Sequence, residues 1–192
     1  VVKEIQIKVG VLMPLTGDSV SYGEKVKNAI DLAKDELSVD VVYEDSSCGS
    51  SDSVSSIRKL IDGDNVNVVI GQLCDIDTLT ASQISKEIGI IVISSDSKTL
   101  DLVDTIIGKQ FVKKYSEAYN SAPTVFAAEA YDALIAASEA GRESDGSRLS
   151  IIEAMKDVKF KGASGLVDFG ESAVFVVWKD LKKTIFLNFL LN

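Results

Sequence analysis

The chain has 192 residues, a net charge of −9 and no histidine. The length suits one domain with a substantial core, and the negative charge argues against nucleic acid or an anionic membrane as a partner. The lack of histidine excludes histidine-based triads and ordinary zinc sites, and no apolar run reaches the roughly 18 residues of a membrane-spanning helix.

The first half of the chain alternates between predicted strands and predicted helices. The opening residues, VVKEIQIKVG, have the pattern of a first strand and not of a signal peptide, so we expect any export signal to be absent from this sequence. An amphipathic helix is predicted from Ser21, a second strand at Val39 to Tyr43, and a second helix at Val54 to Ile61. Gly63 and Asp64 are predicted to end that helix.

The central stretch predicts two neighbouring parallel strands. Val66 to Ile70 and Ile88 to Ile93 are continuous β-branched runs, which are typical of strands covered on both faces. Helical spacing at Thr80 and Ile84 places one helix between them. The loops that follow the two strands then leave the sheet at its carboxyl edge, where open α/β sheets bind ligands.

The second half is predicted to be mostly helical. Helices are predicted at Val103 to Tyr119, at Ala127 to Ala140 and at Ser147 to Val158. Their predicted inward residues include Ile107, Phe111, Val112, Tyr115, Tyr119, Leu149, Ile152 and Met155. Three short apolar runs follow, at Leu166 to Phe169, Val174 to Trp178 and Ile185 to Leu191.

These elements predict an α/β fold with a flavodoxin-like parallel sheet, helices on both faces and the strand order 2-1-3-4. We expect residues 1–192 to form a single lobe. Within it, residues 1–99 would form βα repeats, 100–165 a helical return segment and 166–192 short terminal strands.

Two features near the predicted carboxyl edge leave alternatives open. Cys48 and Cys74 are either two free thiols or one disulfide, which would be worth roughly 3 to 4 kcal/mol and would indicate an oxidising compartment. Glu44 and Asp45 could suggest a metal or acid/base site. We expect them to cap a loop instead, because no third carboxylate or histidine is placed to complete either chemistry.

Several ordered motifs carry a family resemblance. They are IKVGVLMPLTG with a following YG, YEDSSC, IGQLC, IGIIVIS, FVKKYSEAYNSAP, AEAYDALIAA and FKGASGLVDF. Together they resemble the amino-acid-binding branch of the periplasmic substrate-binding proteins, which includes the leucine/isoleucine/valine-binding proteins. Those proteins have two lobes, and this sequence resembles the amino-terminal lobe of a type I member, with most of the second lobe missing near Thr99 to Asp104.

The resemblance implies a non-enzymatic lobe of a solute-binding protein for an amino-acid ABC transporter, periplasmic or extracellular, without cofactor or metal. Two hinged lobes would close on a small polar ligand, and a membrane transporter would recognise the closed form. We expect this truncated form to bind its amino acid weakly or not at all. The resemblance also implies a disulfide between Cys48 and Cys74.

The positions that match ligand contacts in the family form a set of seven. They are Tyr22, Leu73, Cys74, Asp75, Ser97, Lys98 and Phe126. Asp75 stands where the family commonly has serine, and Lys98 where it has threonine. A carboxylate at position 75 would repel a ligand carboxylate. Without the resemblance, Tyr22 would be an exposed turn aromatic, Asp75 a charge at a helix start and Lys98 a solvated lysine.

The main alternative is an independent flavodoxin-like or receiver-type module that binds a phosphate or a protein. Such a module needs a phosphate-binding loop after the first strand, and PLTGDSVSYG matches that only weakly. An enzyme is not expected, since no nucleophile has a base in reach.

The final segment, TIFLNFLLN, is apolar and uncharged, which is a hazard for an open strand edge. The chain can fold it back on its own sheet or pair it with another copy. We expect a homodimer through residues 174–191.

Overall fold

The structure is a computed structural model that describes residues 7–37, 39–48, 50–71, 83–84, 87–95, 104–170 and 175–178. Its strands are β1 (Lys8–Met13), β2 (Asp40–Asp45), β3 (Val68–Gly71), β4 (Ile91–Ser95), β5 (Lys159–Lys161), β6 (Leu166–Asp168) and β7 (Phe175–Trp178). Its helices are α1 (Val20–Leu37), α2 (Ser50–Arg58), α3 (Ile106–Tyr119), α4 (Val125–Arg142) and α5 (Arg148–Asp157). α2 continues into a π-helical turn, Lys59–Gly63.

The main sheet has the strand order β2-β1-β3-β4-β7, and each neighbouring pair is parallel. The predicted α/β class and the predicted order of the first four strands are therefore confirmed. β7 adds a fifth parallel strand, in register with β4 so that Trp178 pairs with Ser95. β5 and β6 form a separate antiparallel hairpin.

Helices cover the sheet on both faces because alternate strand residues point in opposite directions. Val9, Val11 and Met13 of β1 pack into a core with α1, α3, α4 and α5. Leu12, between them in the chain, joins a second core with α2, the π-helical turn and Ile84. This two-sided burial explains the continuous β-branched runs in the sequence.

The later helices pack on the same face of the sheet as α1. α4 is buried along most of its length, as its alanine-rich sequence predicts. A hydroxyl caps the start of each of these three later helices: Thr105 Oγ1 accepts from Gly108 N in α3, Thr124 Oγ1 from Ala127 N in α4, and Ser147 Oγ from Ser150 N in α5. Within the described ranges, none of the helices combines the length and hydropathy that a membrane crossing requires.

Two predicted inward residues are exposed. Leu149 is 74% exposed, and Ile151 is buried in its place. Arg148 explains this, because its guanidinium donates to Ile61 O and Val66 O and so fixes which side of α5 faces the sheet. Ile107 is 38% exposed because the buried stripe of α3 begins one residue later, at Gly108.

The short apolar runs near the end have different outcomes. Leu166 to Phe169 contains β6, and Val174 to Trp178 contains β7. β5 was not predicted, because its sequence KFK has a single apolar residue. Ile185 to Leu191 lies outside the described residues, so the homodimer stays a prediction.

Candidate functional site

The carboxyl ends of the parallel strands lie along one edge of the sheet. Among the described residues this edge ends at Met13, Asp45, Gly71, Ser95 and Trp178. Ligands of open α/β sheets bind in the crevice outside this edge, so it is the natural place to look for a site.

Two of the predicted ligand residues, Tyr22 and Phe126, meet at this edge. Their rings make an edge-to-face contact, with centroids 6.4 Å apart and planes at 75°. Tyr22 is in the first turn of α1, and Phe126 is in the first turn of α4. Tyr22 is 50% exposed and Phe126 is half-buried, so the pair presents aromatic surface to solvent.

A second contact fixes the two helix starts relative to each other. Lys25 Nζ, one turn beyond Tyr22, donates to Ala122 O at 3.2 Å, in the segment that leads into α4. Tyr115 of α3 also donates through its hydroxyl to Lys25 O at 3.1 Å. The aromatic pair therefore rests on a framework of three helices and is not a chance contact between loops.

The other predicted ligand residues, Leu73, Cys74, Asp75, Ser97 and Lys98, lie outside the described residues. The strands that lead to them are described. β3 and β4 are adjacent and parallel, so these two strands end side by side at the same edge, with the usual inter-strand spacing of about 4.8 Å.

The loop after β2 is a left-handed turn at the same edge. Ser47 and Cys48 have φ values of 44° and 53°, and Ser47 N donates to Asp45 Oδ1 at 2.8 Å. Cys48 is therefore placed at the edge two strands from β3, the strand that precedes Cys74. Since Cys74 itself is not described, the disulfide stays a prediction.

Glu44 and Asp45 have structural partners in the described part of the chain. Glu44 Oε1 lies 2.5 Å from Lys59 Nζ, and Asp45 accepts hydrogen bonds from Leu15 N in the loop after β1 and from Ser47 N in the loop after β2. The expectation that Asp45 caps a loop is confirmed. No group of three or more histidine, cysteine or acidic side chains among the described residues could hold a metal ion.

Asp132 is a buried carboxylate that was not predicted from the sequence. It is fully buried in α4, where Oδ1 accepts from Ala163 N at 2.9 Å and Oδ2 accepts from Ser164 N at 2.7 Å and Ser164 Oγ at 2.5 Å. Burial raises the pKa of Asp132 to about 6, although the bonds from Ser164 and Ala163 act in the opposite direction. Through these hydrogen bonds Asp132 links α4 to the turn of the β5–β6 hairpin. The available signal was an acidic residue inside an alanine-rich, apolar helix.

Comparison with known proteins points to one family. A family model described as periplasmic binding protein matches residues 6–106. The chain is 28% identical over 100 residues to an amino acid binding protein of Pseudomonas aeruginosa, and the match covers 47% of this chain and 27% of that protein. The matched part thus spans about a quarter of that relative's length.

Solved structures share the fold. An ABC transporter solute-binding protein from Rhodopseudomonas palustris BisB5, in complex with 3,4-dihydroxybenzoic acid, is similar with a TM-score of 0.78 at 13% identity, covering 90% of this chain and 91% of that one. LivJ from Streptococcus pneumoniae, in complex with isoleucine, is similar with a TM-score of 0.76 at 13% identity. The match covers 90% of this chain and 94% of LivJ. The leucine-binding protein LivK from Thermotoga maritima is similar with a TM-score of 0.72 at 14% identity. The match covers 86% of this chain and 91% of LivK.

Proposed function

Because the chain belongs to the periplasmic binding protein family, we propose that it forms the amino-terminal lobe of a solute-binding protein for an amino-acid ABC transporter. Proteins of this family bind solutes and are not enzymes, and we propose the same for this chain. Its place would be periplasmic or extracellular. The amino acid binding protein from Pseudomonas and the fold shared with LivJ and LivK support this proposal.

The observation that carries the proposal is the contact between Tyr22 and Phe126 at the carboxyl edge. An exposed edge-to-face pair held on three helices supplies a rigid apolar wall. β3 and β4 end at the same carboxyl edge of the sheet. We propose that the loops after these strands contribute Leu73, Cys74, Asp75, Ser97 and Lys98 to the same crevice.

The proposed ligand is a small molecule with a carboxylate. Isoleucine and 3,4-dihydroxybenzoic acid, the ligands named with two of the similar structures, have that group in common. Backbone amides and hydroxyls of the two loops would bind the carboxylate, and the aromatic wall would contact the rest of the ligand. Asp75 opposes this arrangement by like-charge repulsion, which Lys98 would offset in part.

We further propose that this lobe alone binds weakly. A pocket normally encloses most of the surface of its ligand, and one lobe supplies one wall of a two-lobed site. In the whole protein, closure of the second lobe would complete the pocket and create the surface that the transporter recognises.

Isothermal titration with L-leucine, L-isoleucine and 3,4-dihydroxybenzoate tests the proposal. We expect dissociation constants above about 1 mM, equivalent to less than roughly 4 kcal/mol of binding free energy. Micromolar affinity for leucine would contradict the weak binding that we propose for a single lobe.

Weak binding can be located by NMR at millimolar ligand. We expect Tyr22→Ala and Phe126→Ala to abolish the ligand-induced shifts. Ile106→Ala is the matched control, because Ile106 is an apolar side chain 78% exposed at the start of a different helix. Shifts that persist in both aromatic variants would exclude this edge as the site.

The alternative of a flavodoxin-like or receiver-type module receives no support. Receiver and flavodoxin sites need a loop after β1 that binds phosphate, whereas here the amide of Leu15 and the hydroxyl of Thr16 already donate to Asp45. Those donors are therefore not available to an anion.

A further inference from the structure

Asp45 links the loop after β1 to the loop after β2. It is the last residue of β2, and its Oδ1 atom accepts from Leu15 N and from Ser47 N, each at 2.8 Å. Its Oδ2 atom accepts from Thr16 Oγ1 at 2.5 Å. One carboxylate thus fixes the first residues after β1 and the left-handed turn after β2.

The loop after β1 is in direct contact with the start of α1. The carbonyl oxygen of Pro14 lies against Gly23, where a Cβ atom would be only 1.8 Å away. The amides of Tyr22 and Gly23 both donate to Ser19 O, at 3.0 and 3.2 Å. A shift of residues 14–16 would therefore displace the backbone that carries the Tyr22 ring.

We propose that Asp45 is a positioning residue for ligand binding: through Leu15, Thr16 and Pro14 it holds Tyr22 against Phe126 without touching the ligand. This inference rests on the proposed function, because it assigns a role within the same site.

The chemistry of the contact favours a carboxylate. Leu15 N, Thr16 Oγ1 and Ser47 N all donate hydrogen bonds to Asp45. An ionised carboxyl group only accepts hydrogen bonds, so each of these donors faces an acceptor. Burial acts to raise the pKa of Asp45, but the bonds from Thr16, Leu15 and Ser47 outweigh it and hold that pKa below its ordinary value. The carboxylate is therefore ionised at neutral pH, and the contact is weakened only as the pH falls below the ordinary titration range of an aspartate.

Three variants separate the hydrogen bonds from the charge. In Asp45→Asn, the remaining oxygen can accept from Leu15 and Ser47, and the new amide can donate to Thr16 Oγ1. Asp45→Ala removes all three bonds. Asp40→Asn is the matched control, because Asp40 is an exposed aspartate at the opposite end of β2.

The readout is ¹⁹F NMR of the whole chain labelled with 3-fluorotyrosine, with the Tyr22 signal assigned by Tyr22→Phe. We expect the Tyr22 signal of Asp45→Ala to move to the position that it takes in Phe126→Ala, where the neighbouring ring is absent. In Asp45→Asn and Asp40→Asn, the chemical shift of the Tyr22 signal should differ from the wild-type value by less than one line width. The signal of Tyr131, which packs on Phe111 in the core, should stay unchanged in all variants.

An unchanged Tyr22 signal in Asp45→Ala, with the Tyr131 signal also unchanged, would overturn the inference. If Asp45→Ala does not fold, Thr16→Val takes its place, because it removes a single bond from an exposed residue. A Thr16→Val protein with a wild-type Tyr22 signal would then overturn it.

A ligand titration distinguishes this inference from the proposed function. With L-isoleucine as the probe, we expect Asp45→Ala to weaken binding by about tenfold and Asp45→Asn by less than about threefold, because lost preorganisation lowers affinity. If the wild-type chain does not bind any of the tested ligands even at millimolar concentration, the proposed ligand binding by this single lobe fails, while the ¹⁹F result still decides the role of Asp45. A loss of binding in Asp45→Asn equal to that in Asp45→Ala would indicate a direct role of the charge and would overturn the positioning role.

Discussion

The carboxylate of Asp132 occupies the space that a side chain at position 162 would need. A Cβ atom on Gly162 would lie 2.3 Å from Asp132 Oδ2, far inside van der Waals contact. The backbone of Gly162 does not have a positive φ, so it is the approach of Asp132 that requires glycine here. The pair fixes the distance between α4 and the β5–β6 hairpin.

We expect Gly162→Ala to lower the free energy of unfolding by about 1 to 3 kcal/mol, the usual cost of overpacking a tight site. For a chain of this size that corresponds to a fall in Tm of roughly 2 to 10 °C. Gly63→Ala is the control, because a Cβ there would meet only Lys59 Cγ at 3.8 Å. Equal melting temperatures for the two variants would contradict this account of the hairpin.

Asp132 should also make stability depend on pH. Burial raises the pKa of Asp132 from its ordinary 3.8 to about 6, so the folded chain binds a proton more readily than the unfolded chain between those values. The stabilisation is full below about pH 4 and is lost as the pH rises through 6. Relative to Asp132→Asn, the wild type should gain up to about 3 kcal/mol between pH 7 and pH 4.

Urea unfolding of the two proteins at several pH values measures this difference, and the comparison cancels the carboxylates that they share. A constant difference across the range would show that Asp132 does not titrate within it. A difference of the opposite slope would mean that the bonds from Ala163 and Ser164 outweigh burial.

Much of the architecture could be predicted from the sequence because apolar patterning determines it. The β-branched runs identify β3 and β4 as strands covered on both faces, and the alanine-rich stretch identifies α4 as a buried helix. Apolar patterning does not predict how a helix is rotated about its own axis when a single polar contact determines that rotation. Leu149 fits the apolar spacing of α5 as well as Ile151 does, and Arg148 decides between them by bonding to carbonyls distant in sequence.

The candidate site was predictable in part, through a family resemblance and not through physical chemistry. Tyr22 and Phe126 are far apart in the chain, and nothing in their local sequence indicates that they meet. Asp132 is marked in the sequence only as an acidic residue inside an apolar helix, because its partners, two backbone amides and a serine hydroxyl, have no sequence signature. Polar contacts of this kind are specified by the tertiary fold.

The exposure of Leu149 gives a direct test of the corrected helix orientation. We expect Leu149→Ala to change the free energy of unfolding by less than about 0.5 kcal/mol, as is usual at exposed positions. Ile151→Ala should cost about 2 to 5 kcal/mol, because Ile151 is fully buried. Chemical denaturation measures both changes in the free energy of unfolding. A larger loss of stability in Leu149→Ala than in Ile151→Ala would contradict this orientation of α5.

We expect Cys48 and Cys74 to be joined by a disulfide. Intact-mass measurement after alkylation under denaturing, non-reducing conditions should show no added label. Reduction should cost roughly 3 to 4 kcal/mol of stability by the chain-entropy model. Full labelling of both thiols without a reductant would remove the main support for an oxidising compartment.

We expect a homodimer through residues 174–191. In the described part of the sheet, β7 is at one end of the strand order, so one of its edges pairs with β4 and the other faces outward. An outward edge followed by an apolar segment favours pairing with a second copy. Light scattering should give twice the chain mass, and deletion of residues 184–192 should reduce it to one chain. A monomer with or without the deletion would contradict the prediction.

The pairing of β4 with β7 has a consequence for how the chain is made. β1 to β4 have all been synthesised by Ser95, but the strand that covers the outer edge of β4 arrives only after α3, α4 and α5. Such non-local pairing is slow, and until it forms the nascent chain carries an open, apolar strand edge. We therefore expect the chain to be most prone to aggregation while the segment between Ser95 and Phe175 is being synthesised, and slow synthesis of that segment to lengthen this exposure.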